Sequence, residues 1–199
     1  PTVSVIIPVY NVEPARFRRT LESLSQQTNQ DFEVCISDGG VEKIKNVVDE
    51  FSDTLSIQYT SSKKQLGISD NTNHAIKLAT GEYLAFLDHD DMLAPDAIAA
   101  LCQAIESSHP DIIYTDECIV DESGQVLNYF SLDLLYAQNY ICHLLCVRRQ
   151  LAQKVGDFRP EYDGAQDYDF ILRLVEHTKN ITHIPQNLYQ WLSQPDSTS

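Results

Sequence analysis

One rhythm runs through the first part of the chain: a short apolar, β-branched run, a turn, an amphipathic stretch, then another apolar run. SVIIPVY opens it and is closed by Pro8 and Asn11, the pattern of a buried strand that ends near Val9. Residues 13–27 carry Phe17, Leu21 and Leu24 at helical spacing. A strand follows at residues 32–37, broken by Asp38-Gly39-Gly40. The next helix carries Ile44, Val47, Val48 and Phe51, and residues 55–59 alternate as a strand does. Polar SSKKQLG makes a loop, and residues 68–79 make a helix with Gly81 as its C-terminal cap. Residues 83–87 form a strand that runs straight into Asp88. Pro95 suits the first turn of a helix reaching to about residue 107, and residues 111–115 are a further strand. Strands alternating with helices of this length predict an α/β fold. It is Rossmann-like, a mainly parallel, doubly wound sheet flanked by helices, with ligand sites at the carboxyl ends of the strands. Asp38 and Asp88 fall at two such ends.

After residue 118 the rhythm is lost, and this less regular half reads as α+β. DESGQV is a turn, and an amphipathic helix at residues 166–176, with Phe170, Leu172 and Leu174 as its apolar stripe, precedes the strand-like NITHIP and LYQWL. A length of 199 residues suits a single domain with a sizeable core. The start at Pro1 and the stop at Ser199 read as those of a domain excised from a longer protein.

The formal charge of −15 repels phosphate polymers, so nucleic acid is not an expected partner. A protein this acidic needs a local positive source to hold a phosphorylated ligand, and a divalent cation supplies one. The five cysteines, Cys35, Cys102, Cys118, Cys142 and Cys146, sit mostly inside apolar runs. They read as reduced core residues rather than a disulfide framework or a zinc site. No apolar run approaches the ~20 residues that span a bilayer.

Asp88-His89-Asp90-Asp91 places three carboxylates and an imidazole directly after a buried strand. Such crowding raises pKa values unless a cation compensates, and hard oxygen ligands suit Mg²⁺ or Mn²⁺. The bland reading makes Asp91 a cap for the helix near Pro95. Asp38, before two glycines, could accept hydrogen bonds from a base or ribose, or simply serve a turn. Gly67 and Asn73 bracket the start of the residue-68 helix, whose N–H groups would face whatever sits above the sheet. In GAQDYDFILRL, Asp167 and Asp169 are candidates for a general base or for helix N-terminal charges, with Arg173 able to pair with either. His143, His183 and Trp191, each beside apolar residues, read as packed core groups.

With SVIIPVYN, the acidic strand end before glycine, GIS with Asn73, GEYLAFLDHDD and GAQDYDFILRL in this order over nearly the whole chain, the sequence resembles the family 2 glycosyltransferases. The resemblance implies the A-type glycosyltransferase fold, with residues 1–117 a nucleotide-sugar-binding half and 118–199 an acceptor and catalytic-base half. It implies inverting transfer from a UDP- or dTDP-linked sugar to a hydroxyl of a glycan or lipid-linked acceptor. Carried over by position, Pro8, Tyr10 and Asp38 line the base and ribose pocket, and Gly67, Asn73 and Asp88 contact the nucleotide sugar. Asp88 and Asp90 match the Asp-any-Asp motif for Mn²⁺ or Mg²⁺, and Asp167 matches the catalytic base. Ser37, Gly40 and Gln65 depart from the family pattern. YTDE, NYICH and THIPQNLYQWL look like segments of bacterial enzymes assembling rhamnose-containing or O-antigen-type surface polysaccharides. In those the closing segment often reads Tyr-His-Trp-Arg, against Tyr189-Gln190-Trp191-Leu192 here. The setting this implies is cytoplasmic, at the inner face of the plasma membrane, with any membrane attachment made by regions outside this chain.

The competing expectation from another class is a non-catalytic nucleotide-sugar or glycan-binding module tethered to an active partner. A nucleotidyltransferase is disfavoured because PVYNVEPARF lacks the glycine-rich phosphate loop those enzymes carry after the first strand.

Overall fold

The computed structural model describes residues 1–121, 123–129 and 143–193. Cys142 and most of the aperiodic stretch before it lie outside these. The elements are β1 (Val3–Val9), α1 (Pro14–Ser25), β2 (Phe32–Asp38), α2 (Lys45–Glu50), β3 (Ile57–Ser61), α3 (Ile68–Ile76), β4 (Tyr83–Phe86) and β5 (Met92–Leu93). After them come α4 (Ala97–Ser108), β6 (Ile112–Val120), β7 (Val126–Tyr129), β8 (Leu145–Arg148), α5 (Arg149–Val155), α6 (Gln166–His177) and β9 (Ile181–Leu192).

Among the described residues one sheet runs β3-β2-β1-β4-β8-β6-β9-β5, with β7 paired to the outer part of β6. The pairs β3/β2, β2/β1 and β1/β4 are parallel, as the strand–helix alternation requires. Beyond β4 the sheet changes character. β8 is antiparallel to both β4 and β6, while β9 runs parallel to β6. Helices cover both faces. On one, Phe17, Leu21 and Leu24 of α1 and Ile98, Leu101 and Ile105 of α4 pack on Val5, Ile7, Val34 and Ala85. On the other, Ala75 of α3 and Phe170, Ile171 and Leu174 of α6 pack with Ile6, Cys35 and Leu84.

Several boundaries differ from the sequence expectation. Gly81 does not cap α3, which ends at Ile76. It sits where a Cβ would lie 2.7 Å from the Ser4 hydroxyl, so close approach to β1 is what demands glycine. NITHIP and LYQWL are one strand, β9, whose register against β6 shifts around Asp116. The buried stripe of α6 is Phe170, Ile171 and Leu174, and Leu172 is exposed, as 3.6-residue periodicity dictates. No helix among the described residues is long and apolar enough to cross a membrane.

Candidate active site

β1 and β4 are parallel neighbours, so their carboxyl ends emerge side by side and bring Pro8 and Tyr10 next to the loop after Leu87. His89 Nδ1 lies 3.0 Å from the Pro8 carbonyl, and the Thr20 hydroxyl donates to the His89 carbonyl, tying the loop to β1 and α1. From the far side of the sheet the buried Tyr189 of β9 holds both ends of the loop. Its hydroxyl donates to Asp91 Oδ2 at 2.7 Å and accepts the Asp88 N–H at 3.3 Å. Burial, with the charges of Asp88 and Asp91, raises the Tyr189 pKa well above its ordinary value, so the hydroxyl keeps the proton it donates.

This loop separates its carboxylates into two kinds. Asp91 is buried and also accepts the Leu192 N–H at 3.2 Å, so it fastens the loop to β9 instead of capping the helix near Pro95. Burial pushes its carboxyl up to about 7; the charges of Asp88 and Asp90 add to this and the Tyr189 hydrogen bond opposes it. Asp88 and Asp90 are partly exposed and face a cleft of about 500 Å³ that is also lined by Pro8, Tyr10, Gly67, Asn71 and His89. Among the described residues no three His, Cys, Asp or Glu side chains converge into a protein-only metal cage. Asp88 and Asp90 on one wall are hard oxygen donors that could hold Mn²⁺ or Mg²⁺.

A narrower cavity of about 40 Å³ opens beside Asp88 and Pro8 and reaches Asp167, His143, Gln166 and Thr72. Asp167 stands in the first turn of α6, open to solvent on one side, and accepts the Gln166 side-chain N–H at 3.0 Å. Shielding by the surrounding chain, then the charge of Asp88, raises its pKa; His143 and the Gln166 hydrogen bond pull the other way. Asp169 is different. Arg159 and Arg173 both fork onto it, and the Arg159 hydrogen bond above all holds its carboxyl below the ordinary range despite burial. Of the two acids in GAQDYDFILRL, one is thus an internal anchor and the other faces a cavity.

Three expected contacts fall elsewhere. Asp38 is fully buried and does not line the cleft; its carboxylate accepts the Gly40 and Ile44 N–H groups at 3.2 and 3.1 Å and the Tyr59 hydroxyl at 2.9 Å. Asn73 sits in the body of α3, not at its start. Its amide clamps the Phe158 backbone, donating to the carbonyl and accepting the N–H at 2.8 Å each. The N-terminus of α3 is not left open either. Asp163 takes the Ser69 N–H at 3.2 Å and its hydroxyl, and its Oδ2 would lie 2.7 Å from a Cβ at Gly67, so a larger residue there would have to push this carboxylate aside.

The sequence reading passed over a cluster behind Asp88. Glu117 of β6 accepts the Trp191 Nε1–H at 2.9 Å and contacts His143 Nδ1 at 3.2 Å, while His143 Nε2 lies 3.7 Å from Asp88 Oδ2. Burial alone would lower the His143 pKa. The Glu117 hydrogen bond and the charges of Asp88, Glu117 and Asp167 outweigh it and leave the ring above its ordinary value. The signal available beforehand was the grouping of YTDE, NYICH and LYQWL as family-like segments.

Residues 4–134 match the family model for "Glycosyl transferase family 2". An O-antigen biosynthesis protein, RfbC, of Myxococcus xanthus is 32% identical over 95% of this chain and 16% of its own length. A glycosyltransferase of PGL/p-HBAD biosynthesis from Mycobacterium bovis is 30% identical over 92% of this chain and 73% of its own length. Among solved structures, S. aureus TarS 1-349 in complex with UDP superposes with a TM-score of 0.81 at 21% identity, covering 98% of this chain and 61% of that 1-349 chain. The chain spans only 23% and 16% of two of the curated relatives it matches. The shared architecture is the A-type glycosyltransferase fold.

Proposed function

The chain belongs to glycosyl transferase family 2, and on that premise we propose that it moves a sugar from a UDP- or dTDP-linked donor to a hydroxyl of a glycan or lipid-linked acceptor, with inversion. The observation that carries this reading is the junction of two spaces. The cleft lined by Asp88 and Asp90 meets, at Asp88 and Pro8, the cavity that holds Asp167. In this reading Pro8, Tyr10 and Gly67 bound the nucleoside side of the cleft. Asp88 and Asp90 would hold Mn²⁺ or Mg²⁺, whose charge would offset that developing on the departing diphosphate. Asp167 takes the proton of the acceptor hydroxyl as its oxygen bonds to the anomeric carbon. The bond from that carbon to the diphosphate breaks on the opposite face, and the nucleoside diphosphate leaves with the electron pair. The raised pKa of Asp167 makes it a stronger base than an ordinary carboxylate. In this reading Asp38 and Asn73 brace backbone around the site and contribute to stability rather than to donor contacts.

Residues 1–117 and 118–199 then act as donor and acceptor halves of one domain. Similarity to an O-antigen biosynthesis protein favours bacterial surface polysaccharide as the product, made at the inner face of the plasma membrane. The test is a screen of UDP- and dTDP-sugars for donor hydrolysis and transfer with and without Mn²⁺, beside D90N and D167N. Folded variants that retain full turnover would sink the assignment, and binding without turnover in the wild type would favour a non-catalytic module.

A further inference from the structure

A carboxylate in the body of a sheet is costly to desolvate unless something uses it. The side chain of Glu117 is 8% exposed, yet one of its oxygens, Oε2, serves two donors on different segments: the Trp191 indole at 2.9 Å and the His143 ring at 3.2 Å. It stands where the register between β6 and β9 shifts, the kind of irregularity that re-aims a side chain. The His143 ring is packed against Tyr189, with centroids 4.6 Å apart, and meets Trp191 edge-on at 4.9 Å, so it has little freedom to turn. An ionised carboxylate only accepts, so Nδ1 carries the proton shared with Glu117. The Nε2 edge therefore faces the cavity and lies 3.7 Å from Asp88 Oδ2, a packing contact rather than a hydrogen bond.

We infer that Glu117 is a positioning residue: by locking the His143 ring it fixes the wall against which the Asp88 carboxylate packs where the cleft and the Asp167 cavity meet. This rests on the function proposed above and adds to it a contact chain, Trp191 to the buried Glu117 to His143 to Asp88, that no motif at the strand ends contains. Loss of a direct partner of a metal ligand commonly costs about 10–100-fold, and Glu117, one residue further back, belongs at the lower end of that range.

The experiment uses this chain with E117L, E117Q and W191F, reading UDP and dTDP affinity by calorimetry at several Mn²⁺ concentrations, KM and kcat for donor hydrolysis, and thermal melts. E117L keeps the shape but loses the acceptor; it should weaken Mn²⁺-dependent UDP binding about tenfold, with KM for the donor rising by a like factor. E117Q keeps an oxygen for His143 and should recover to within about threefold of wild type. W191F removes only one donor from Glu117, and a smaller loss is expected; it carries the test if E117L does not fold. Wild-type affinity in folded E117L, or in W191F where E117L is unfolded, would overturn the positioning role alone. So would E117Q as weak as E117L. A wild-type chain that binds neither nucleotide with Mn²⁺ overturns the function reading and this inference with it.

Discussion

Replacing Tyr189 by Phe removes one oxygen and leaves a ring that is fully buried in place. That oxygen joins the two ends of the acidic loop, donating to Asp91 at 2.7 Å and accepting from the Asp88 N–H at 3.3 Å. The two losses differ in weight. Asp88 has a side chain 48% exposed, so water can recover its N–H at little cost. Asp91 is 3% exposed, and the Leu192 N–H stays as its other protein donor. At about pH 8.5, above the Asp91 value of about 7, the acceptor is charged; such a hydrogen bond is worth about 1.5–3 kcal/mol, so Y189F should cost about 2 kcal/mol there. For a chain of this size that is a fall in Tm of about 4–8 °C.

Tyr83 supplies the internal control. Its ring is equally buried, but its hydroxyl donates at 2.7 Å to a neutral acceptor, the Pro110 carbonyl. Y83F should therefore cost about 1 kcal/mol, less than Y189F. Thermal and urea melts of both variants, with unchanged urea m-values, make the comparison. Only Y189F should also weaken Mn²⁺-dependent UDP binding, because only that hydroxyl holds the loop bearing Asp88 and Asp90. A Y189F shift of less than about 1 °C, or one no larger than that of Y83F, would refute the claim that β9 fastens the loop.

The two acids of α6 should separate in assay: D167N should lose about 10²–10⁴-fold in kcat with little change in Tm, whereas D169N should lower Tm by several degrees by releasing Arg159 and Arg173. N73A should destabilise by about 2–4 kcal/mol, from the unpaired Phe158 N–H and carbonyl, without changing UDP affinity of the folded protein. Glu33 is buried and its Oε1 accepts from Ser4, the Thr80 N–H and hydroxyl, and the Gly81 N–H; burial opposes but these bonds prevail and hold its pKa below 4.5. Its folded pKa is depressed, so its contribution is present above the unfolded value and lost as pH falls through the folded one. E33Q should therefore be less stable than wild type at neutral pH, with the gap closing below about pH 4.5 in acid melts.

What could be read in advance was local. The apolar runs of β1, β2 and β4 and the stripes of α1 and α4 are set by neighbours a few residues away, and their periods survive in the sequence. So does the position of Asp88 and Asp90 at a strand end. The less legible features depend on partners remote in the chain. Asp38 looks like a ligand residue until Tyr59, from the next strand, reaches its carboxylate. Asn73 looks like part of a phosphate loop until Phe158 arrives to occupy its amide. β9 reads as two fragments because Pro185 interrupts it, and only the shifted pairing with β6 makes it continuous. Glu117, His143 and Trp191 are each unremarkable beside apolar neighbours. Their meeting is created by a β6–β9 register that joins residues 74 positions apart.

The charge balance sets the sign of the salt dependence of donor binding. Among the described residues, neither the cleft nor the adjoining cavity is lined by a Lys or Arg, while Asp88, Asp90 and Asp167 line them. A nucleoside diphosphate entering such a space meets repulsion from the wall as well as from the −15 background. Chelating divalent ions should therefore weaken UDP binding sharply, and the binding that remains should strengthen as NaCl is added, because salt screens repulsion between like charges. A cleft that held phosphates by its own cations would behave in the opposite way, losing affinity with salt. Calorimetry of the chelated protein across a salt series distinguishes the two. Undiminished UDP affinity after chelation, falling as salt rises, would mean that the protein itself supplies the positive charge, and the assignment of Asp88 and Asp90 to a cation would have to be abandoned.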